Sequence, residues 1–225
     1  MKKIMAFMLV VLFNTAYGNV TTDQAKQFID KLITEGIVYW KDKPFDQQVD
    51  KFKEVMETKF DLDGIARRVL GDRLWTHMSP AQKEQYLKAF RRMLLSRYSK
   101  KFTQYGGERI TVIDASTSVK KFTMGANATV ESPQIVVTSE LYHSGSAPVK
   151  VEWYVGEWSG RLIITDITLA GPSMVATEQS TFTAIQRNPE TLHKARDACK
   201  GNANPNKCIA GILLERVMTY MAAAD

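Results

Sequence analysis

Residues 60–105 read FDLDGIARRVLGDRLWTHMSPAQKEQYLKAFRRMLLSRYSKKFTQY. This stretch decides the fold because it presents more apolar surface than it can cover by itself. Asp61 is placed to cap a short helix whose Ile65, Ala66, Val69 and Leu70 share one face, and Gly71 stands where a glycine closes a helix. Ser79, Pro80 and Gln82 form the next start signal. The serine caps, the proline takes the first helical position where its missing N–H is no loss, and the glutamine reaches back to the cap amide. A long helix follows. Tyr86, Phe90, Leu94, Tyr98 and Phe102 recur along one slowly drifting stripe, while Lys83, Lys88, Arg91, Arg92, Arg97, Lys100 and Lys101 hold the other faces.

Working outward, two helices precede this pair. Thr21 and Gln24 repeat the capping pattern ahead of Ala25, Phe28, Ile29, Leu32, Ile33, Ile37 and Trp40, and this helix must end before Pro44. The second starts at Phe45 and carries Val49, Phe52, Val55, Met56 and Phe60. From Arg109 the apolar period drops from 3.6 to 2. Ile110, Val112 and Ile113 predict a strand; residues 119–130 and 134–142 predict two more, with a break at Ser132-Pro133. Val149, Val151, Trp153 and Val155 then alternate with Lys150, Glu152 and Tyr154, residues 156–160 make a turn, and residues 162–169 return with Ile163, Ile167 and Leu169. Successive hairpins imply an antiparallel meander. Gly171-Pro172 opens a further helix with Met174, Val175, Phe182 and Ile185, and residues 190–225 read as a helical hairpin around an Asn/Gly/Pro-rich turn. The expected class is α+β: a curled antiparallel sheet of four to five strands packed against helices, with N-terminal helices and a C-terminal helical hairpin.

A chain of 225 residues can bury a substantial core without metals or disulfides. Residues 1–18 have the plan of an export signal: Lys2 and Lys3, an apolar run over residues 4–13, and small residues in Ala16-Tyr17-Gly18. That run falls well short of the roughly twenty residues a membrane span needs. Removing this segment lowers the formal charge from +6 to +4, since it contains two lysines and no acid. The remaining basic residues are scattered along helices with no nucleic-acid-binding signature, which argues against a nucleic-acid partner. Cys199 and Cys208 flank the turn of the C-terminal hairpin. In an oxidising compartment they are expected to form a bridge, the alternative being two free thiols.

Catalytic and cofactor motifs are absent from the sequence. His77, His143 and His193 lie far apart, outside any metal-ligand spacing, and there is no serine elbow, phosphate loop or dinucleotide fingerprint. No cofactor and no metal are expected. Asp166, in an apolar strand near Tyr154, could be a perturbed carboxylate used for proton transfer, but the simpler reading puts it on the solvated face of the sheet.

Several motifs in register resemble one family. Phe60-Asp61, the run Ile65-Ala66-Arg67-Arg68-Val69-Leu70-Gly71, Trp75, Ser79-Pro80-Ala81-Gln82 and Phe90-Arg91-Arg92-Met93-Leu94 are similar to the MlaC or toluene-tolerance family, as are Glu157-Trp158-Ser159-Gly160, Asp166, Gly171-Pro172-Ser173-Met174-Val175 and Phe182. The resemblance covers about residues 22–188. It implies an NTF2-like sheet curled around helices and a periplasmic carrier holding the acyl chains of a glycerophospholipid. Such a carrier works as a monomer between an inner-membrane ABC transporter complex, with its substrate-binding ring subunit, and an outer-membrane lipoprotein/porin complex. The resulting organisation is residues 1–18 as signal, 19–188 as lipid-binding domain and 189–225 as a hairpin extension. The walls expected to touch lipid are Phe60, Ile65, Val69 and Leu70 from the short helix, Trp75 from the turn, Phe90, Leu94 and Tyr98 from the long helix, and Val151, Trp153, Val155, Ile167 and Leu169 from the sheet. The chain departs from the family at Thr177-Glu178-Gln179, where members commonly carry Asn-Tyr-Arg, so no headgroup-binding arginine is assigned there. Two other readings remain open at this point: an isomerase or lyase built on Asp166 and Tyr154, and a non-catalytic interaction module whose stripes are solid core.

Overall fold

The computed structural model describes residues 20–40, 43–102, 109–124, 128–142 and 145–223. The expected export segment, His143 and the side chains of Ile37, Trp40 and Phe102 lie outside the described residues.

Four helical segments come first: α1 (Thr22–Trp40), α2 (Phe45–Lys59), α3 (Leu62–Leu70) and α4 (Asp72–Trp75). The long α5 (Pro80–Phe102) then leads into β1 (Arg109–Met124), β2 (Ala128–Tyr142), β3 (Val149–Trp158) and β4 (Arg161–Leu169). Three helices close the described chain: α6 (Met174–Arg187), α7 (Pro189–Ala198) and α8 (Pro205–Ala223).

The local signals work as their chemistry requires. Thr21 and Gln24 exchange cap hydrogen bonds at the start of α1, and Ser79 and Gln82 do so at α5, where the Ser79 amide donates to Gln82 Oε1 at 2.8 Å and the Gln82 amide donates to Ser79 Oγ at 3.2 Å. Asp61 Oδ1 accepts from the Gly64 amide at 3.0 Å. That cap needs a glycine: a Cβ on Gly64 would fall 1.8 Å from the Asp61 carboxylate. Gly71 closes α3 with φ of 82°, a value side chains disfavour, and its N–H donates to the Arg67 carbonyl at 3.0 Å.

The sheet is a meander in the order β1-β2-β3-β4, antiparallel throughout. Two expected boundaries are corrected. Residues 110–113 and the start of the 119–130 segment form one strand, and β2 runs straight through Ser132-Pro133. Pro133 pairs with Val119 of β1 but lies beyond the last β2–β3 pair, Ile135 with Val155. A strand with a neighbour on one side only tolerates a proline, since no second ladder bond is lost. Register shifts at Val112/Asp114 and at Tyr154/Val155 bend the ribbon. The β3–β4 connection is a two-residue turn with positive φ at Ser159 and Gly160, the form that matches strand twist.

Helices cover the sheet at both ends. α1 packs on β1 and β2, whereas α2, α3 and α6 reach β4. α5 packs against α2, α3 and α8. Phe60, expected in the stripe of α2, instead leaves the helix and forms a parallel bridge with Ile164, with the next amide, Asp61, donating to the Ile164 carbonyl at 2.9 Å. The C-terminal hairpin joins the same core: Leu213 and Val217 are fully buried and Ala210, Leu214 and Met221 nearly so, in one cluster with Phe90 and Phe182. Cys199 and Cys208 are bonded across its turn, Cα atoms 5.8 Å apart.

Because α8 belongs to the common core, Leu213→Ala should destabilise the whole domain by about 2–5 kcal/mol. Urea unfolding followed by tryptophan fluorescence and by far-ultraviolet circular dichroism should shift together. A separate early transition confined to the dichroism would mean that the hairpin unfolds as an independent appendage.

Candidate functional site

α3, β4 and the start of α6 meet around a buried polar junction. Asp166 is completely buried, which corrects the expectation that it faces solvent. The physical reason is that Asp166, cross-strand from Tyr154 on the same sheet face, is covered by the start of α6, whose Val175 amide it holds. Its Oδ1 accepts from the Ile167 amide at 2.9 Å and the Val175 amide at 3.0 Å, so the carboxylate satisfies two backbone donors, one of them at a helix N-terminus. Arg68 lies beside it, donating to the Thr165 carbonyl at 2.6 Å and pairing with Asp61 at 3.6 Å. Burial pulls the Arg68 guanidinium below its ordinary value, against the opposing fields of Asp61 and Asp166. Tyr154, the register partner of Asp166, directs its hydroxyl to Glu152 Oε2 at 3.4 Å.

A second polar cluster ties three helices together. Arg97 of α5 donates through Nη1 to both carboxylate oxygens of Glu178 in α6, and through Nη2 to the Tyr220 hydroxyl of α8 at 2.7 Å. Tyr98 donates to Glu178 Oε1 at 3.2 Å, and Glu178 is 1 % exposed. Burial lowers the Arg97 guanidinium, but its hydrogen bonds to Glu178 and Tyr220 outweigh this and leave its pKa raised. Burial, and then the Glu178 charge, push the Tyr98 and Tyr86 hydroxyls upward, so both remain protonated donors. Gln179 and Gln186 extend the tie by donating to the Arg68 and Leu70 carbonyls of α3.

Around these clusters runs an aromatic column. Trp75, Tyr86, Phe90, Phe182 and Tyr220 stack in sequence with ring centroids 5.9–6.4 Å apart, mostly edge to face. The Tyr86 hydroxyl donates to the Ala66 carbonyl at 2.8 Å. On the sheet, Trp153 donates through Nε1 to Ser139 Oγ at 2.9 Å, which ties its indole across from β3 to β2.

Against this geometry the residues expected from the sequence fall into three groups. Phe60, Ile65, Val69, Leu70, Phe90, Leu94, Val151, Trp153 and Val155 are buried, and Trp75, Tyr98 and Ile167 are half-buried against the same cluster. Leu169 stands apart, 57 % exposed at the end of β4. Phe60 also lines an open groove of about 500 Å³ shared with Asp61, Asp63, Arg91, Trp158 and Arg161. Another cavity, about 400 Å³, opens on the sheet face opposite Trp153, between Gln134, Tyr154, Asp166 and Ser173. Sequence reading missed the Arg97–Glu178–Tyr220 tie and Gln134. A polar residue at an inward position of an amphipathic helix was the available signal for Glu178; no local pattern marks Gln134. Among the described residues, no cluster of three or more His, Cys, Asp or Glu could hold a metal, and no helix is long and apolar enough to cross a membrane.

Comparison with known proteins places this architecture. The family model described as MlaC protein matches residues 40–194, more than half of the chain. No curated protein sequence matches. Among solved structures, a phospholipid-binding protein from Ralstonia solanacearum, in complex with a phospholipid, superposes with a TM-score of 0.53 at 18 % identity, covering 88 % of this chain and 98 % of its own. At that identity the likeness carries the fold.

The Arg97–Glu178 tie gives a stability test. Glu178→Leu leaves a partly buried arginine uncompensated and should cost about 2–4 kcal/mol, whereas adding Arg97→Met should recover part of that loss. A double-mutant cycle in urea measures this. A coupling energy near zero would show that the pair does not hold α5 to α6.

Proposed function

The chain belongs to the MlaC family, and we propose on this premise that it is a non-catalytic carrier of glycerophospholipid in the periplasm, exchanging lipid with inner- and outer-membrane complexes and so sustaining outer-membrane lipid asymmetry. The observation that carries the reading is the family match across residues 40–194, on a fold shared with a protein solved holding a phospholipid.

Elementary energetics say why such a carrier needs this interior. Burying a methylene is worth about 0.8 kcal/mol, so a two-chain lipid with roughly thirty chain carbons meets a desorption barrier on the order of 20 kcal/mol. Escape into water is then slow, and a carrier removes the aqueous intermediate by offering apolar walls of similar quality. Here the walls are drawn from α3, α5 and the sheet: Ile65, Val69 and Leu70, then Leu94 and Tyr98, then Val151, Trp153 and Val155. No bond chemistry is asked of them. Asp166, the candidate base of the enzyme reading, is engaged by two backbone amides at the foot of α6, a structural assignment that supports the carrier.

Native mass spectrometry of the protein isolated from a bacterial periplasm should show one lipid mass per chain. Loading should fall at least severalfold in Leu94→Glu, since a buried charge in the wall opposes acyl chains. Protein that carries no lipid and takes none from liposomes would overturn the reading.

A further inference from the structure

The acyl walls assigned to the carrier are hydrocarbon with two exceptions. Tyr98 and Trp153 alone among them carry a polar side-chain atom. A hydroxyl or an indole N–H against an acyl chain finds no partner there, and stripping it of water without one is unfavourable. Both atoms are already engaged. The Tyr98 hydroxyl donates to Glu178 Oε1 at 3.2 Å, and Trp153 Nε1 donates to Ser139 Oγ at 2.9 Å.

The two acceptors stand where apolar residues belong. Ser139 shares its face of β2 with Ile135, Val137 and Leu141, all buried, and has no exposure itself. Glu178 lies on the buried face of α6 between Val175 and Phe182. Each breaks the apolar pattern of its element, and each is costly in that position unless its oxygens are used. Glu178 is held in turn by Arg97, which donates to both of its oxygens and also to the Tyr220 hydroxyl. The acceptor for Tyr98 is thereby fixed by α5 and α8 together.

We propose that Ser139 and Glu178 are positioning residues for lipid binding: each keeps the polar atom of a wall ring on a buried protein acceptor, so that Trp153 and Tyr98 offer the acyl chains hydrocarbon alone. The inference rests on the carrier reading. Without its acceptor, the released N–H or O–H is met by water in the lipid-free protein, whereas acyl chains bring no acceptor. The penalty therefore falls on the loaded state, and one unmet donor weakens loading roughly tenfold. A purely structural role would weigh on both states alike, lowering stability and leaving loading unchanged.

The test takes protein isolated from a bacterial periplasm, strips it of lipid and titrates it with vesicles of palmitoyl-oleoyl-phosphatidylglycerol. Native mass spectrometry reads the fraction of folded chain that carries lipid. Ser139→Ala and Glu178→Leu should each raise the lipid concentration needed for half-loading roughly tenfold. Glu178→Gln, which keeps a carbonyl acceptor for Tyr98, should recover most of the loss seen in Glu178→Leu. In a Trp153→Phe background, where no indole N–H remains, Ser139→Ala should cause no further loss. Wild-type half-loading in Ser139→Ala or in Glu178→Leu, an undiminished effect of Ser139→Ala in the Trp153→Phe background, or no recovery in Glu178→Gln would each overturn the assignment and leave the carrier reading standing. Should Glu178→Leu fail to fold, the Ser139 and Trp153 cycle decides alone. Wild-type protein that takes no lipid would overturn the carrier reading and this inference with it.

Discussion

A buried carboxylate holds the two halves of this molecule in register. Asp166 sits in the last strand with no exposure to water, yet it accepts from the Val175 amide at the start of α6 and lies within the field of Arg68 from α3. Taking a carboxylate out of water is costly unless its lone pairs are used and a cation is near. Those conditions are met only if β4, α3 and α6 arrive together. Arg68 in turn donates to the Thr165 carbonyl, and Phe60 bridges to Ile164, so the helix following α2 is pinned to the same strand through backbone and side chain alike. One charge thereby specifies the relative placement of three elements that apolar packing alone would let slide.

The helical layer built on that junction is stiff. The aromatic column from Trp75 through Tyr86, Phe90 and Phe182 to Tyr220 runs across α4, α5, α6 and α8, and the Arg97–Glu178–Tyr220 hydrogen bonds cross the same three long helices. Edge-to-face rings and a charge pair both demand particular geometry, so they fix where α5 lies rather than merely favouring burial. Tying α5 to α6 and α8 fixes where Leu94 and Tyr98 enter the common core cluster.

Most of the architecture was legible in residue patterns because it depends on short-range chemistry. Capping boxes at Thr21 and Ser79, the closing glycine at Gly71, the alternation in residues 149–155 and the Ser159-Gly160 turn each involve neighbours a few positions apart. What was not legible depends on partners far away in sequence. The continuity of β2 through Pro133 follows from β3 ending its pairing at Ile135, which no local reading of Ser132-Pro133 can show. The burial of Asp166 follows from the start of α6, nine residues on, folding back over it, and the role of Glu178 follows from Arg97 in another helix. Polar residues inside apolar patterns read as solvated by default; here two of them are the most buried charges of the site.

The position of Glu178 also gives physical meaning to the family departure at residues 177–179. A carboxylate buried at that point of α6 would be costly without a compensating cation and hydrogen bonds. In this chain both of its oxygens are taken by Arg97, and Tyr98 adds a third donor, so its charge is spent inside the protein. The arginine that neutralises it comes from α5, and the hydroxyl that completes the cluster comes from Tyr220 in the C-terminal hairpin. The hairpin is therefore more than a stapled tail: it supplies one of the groups that allow an acid to stand in the helix after the last strand. Its attachment to the core through Leu213 and Val217, and the acid at Glu178, belong to one solution in which a charge is accommodated by recruiting a further helix.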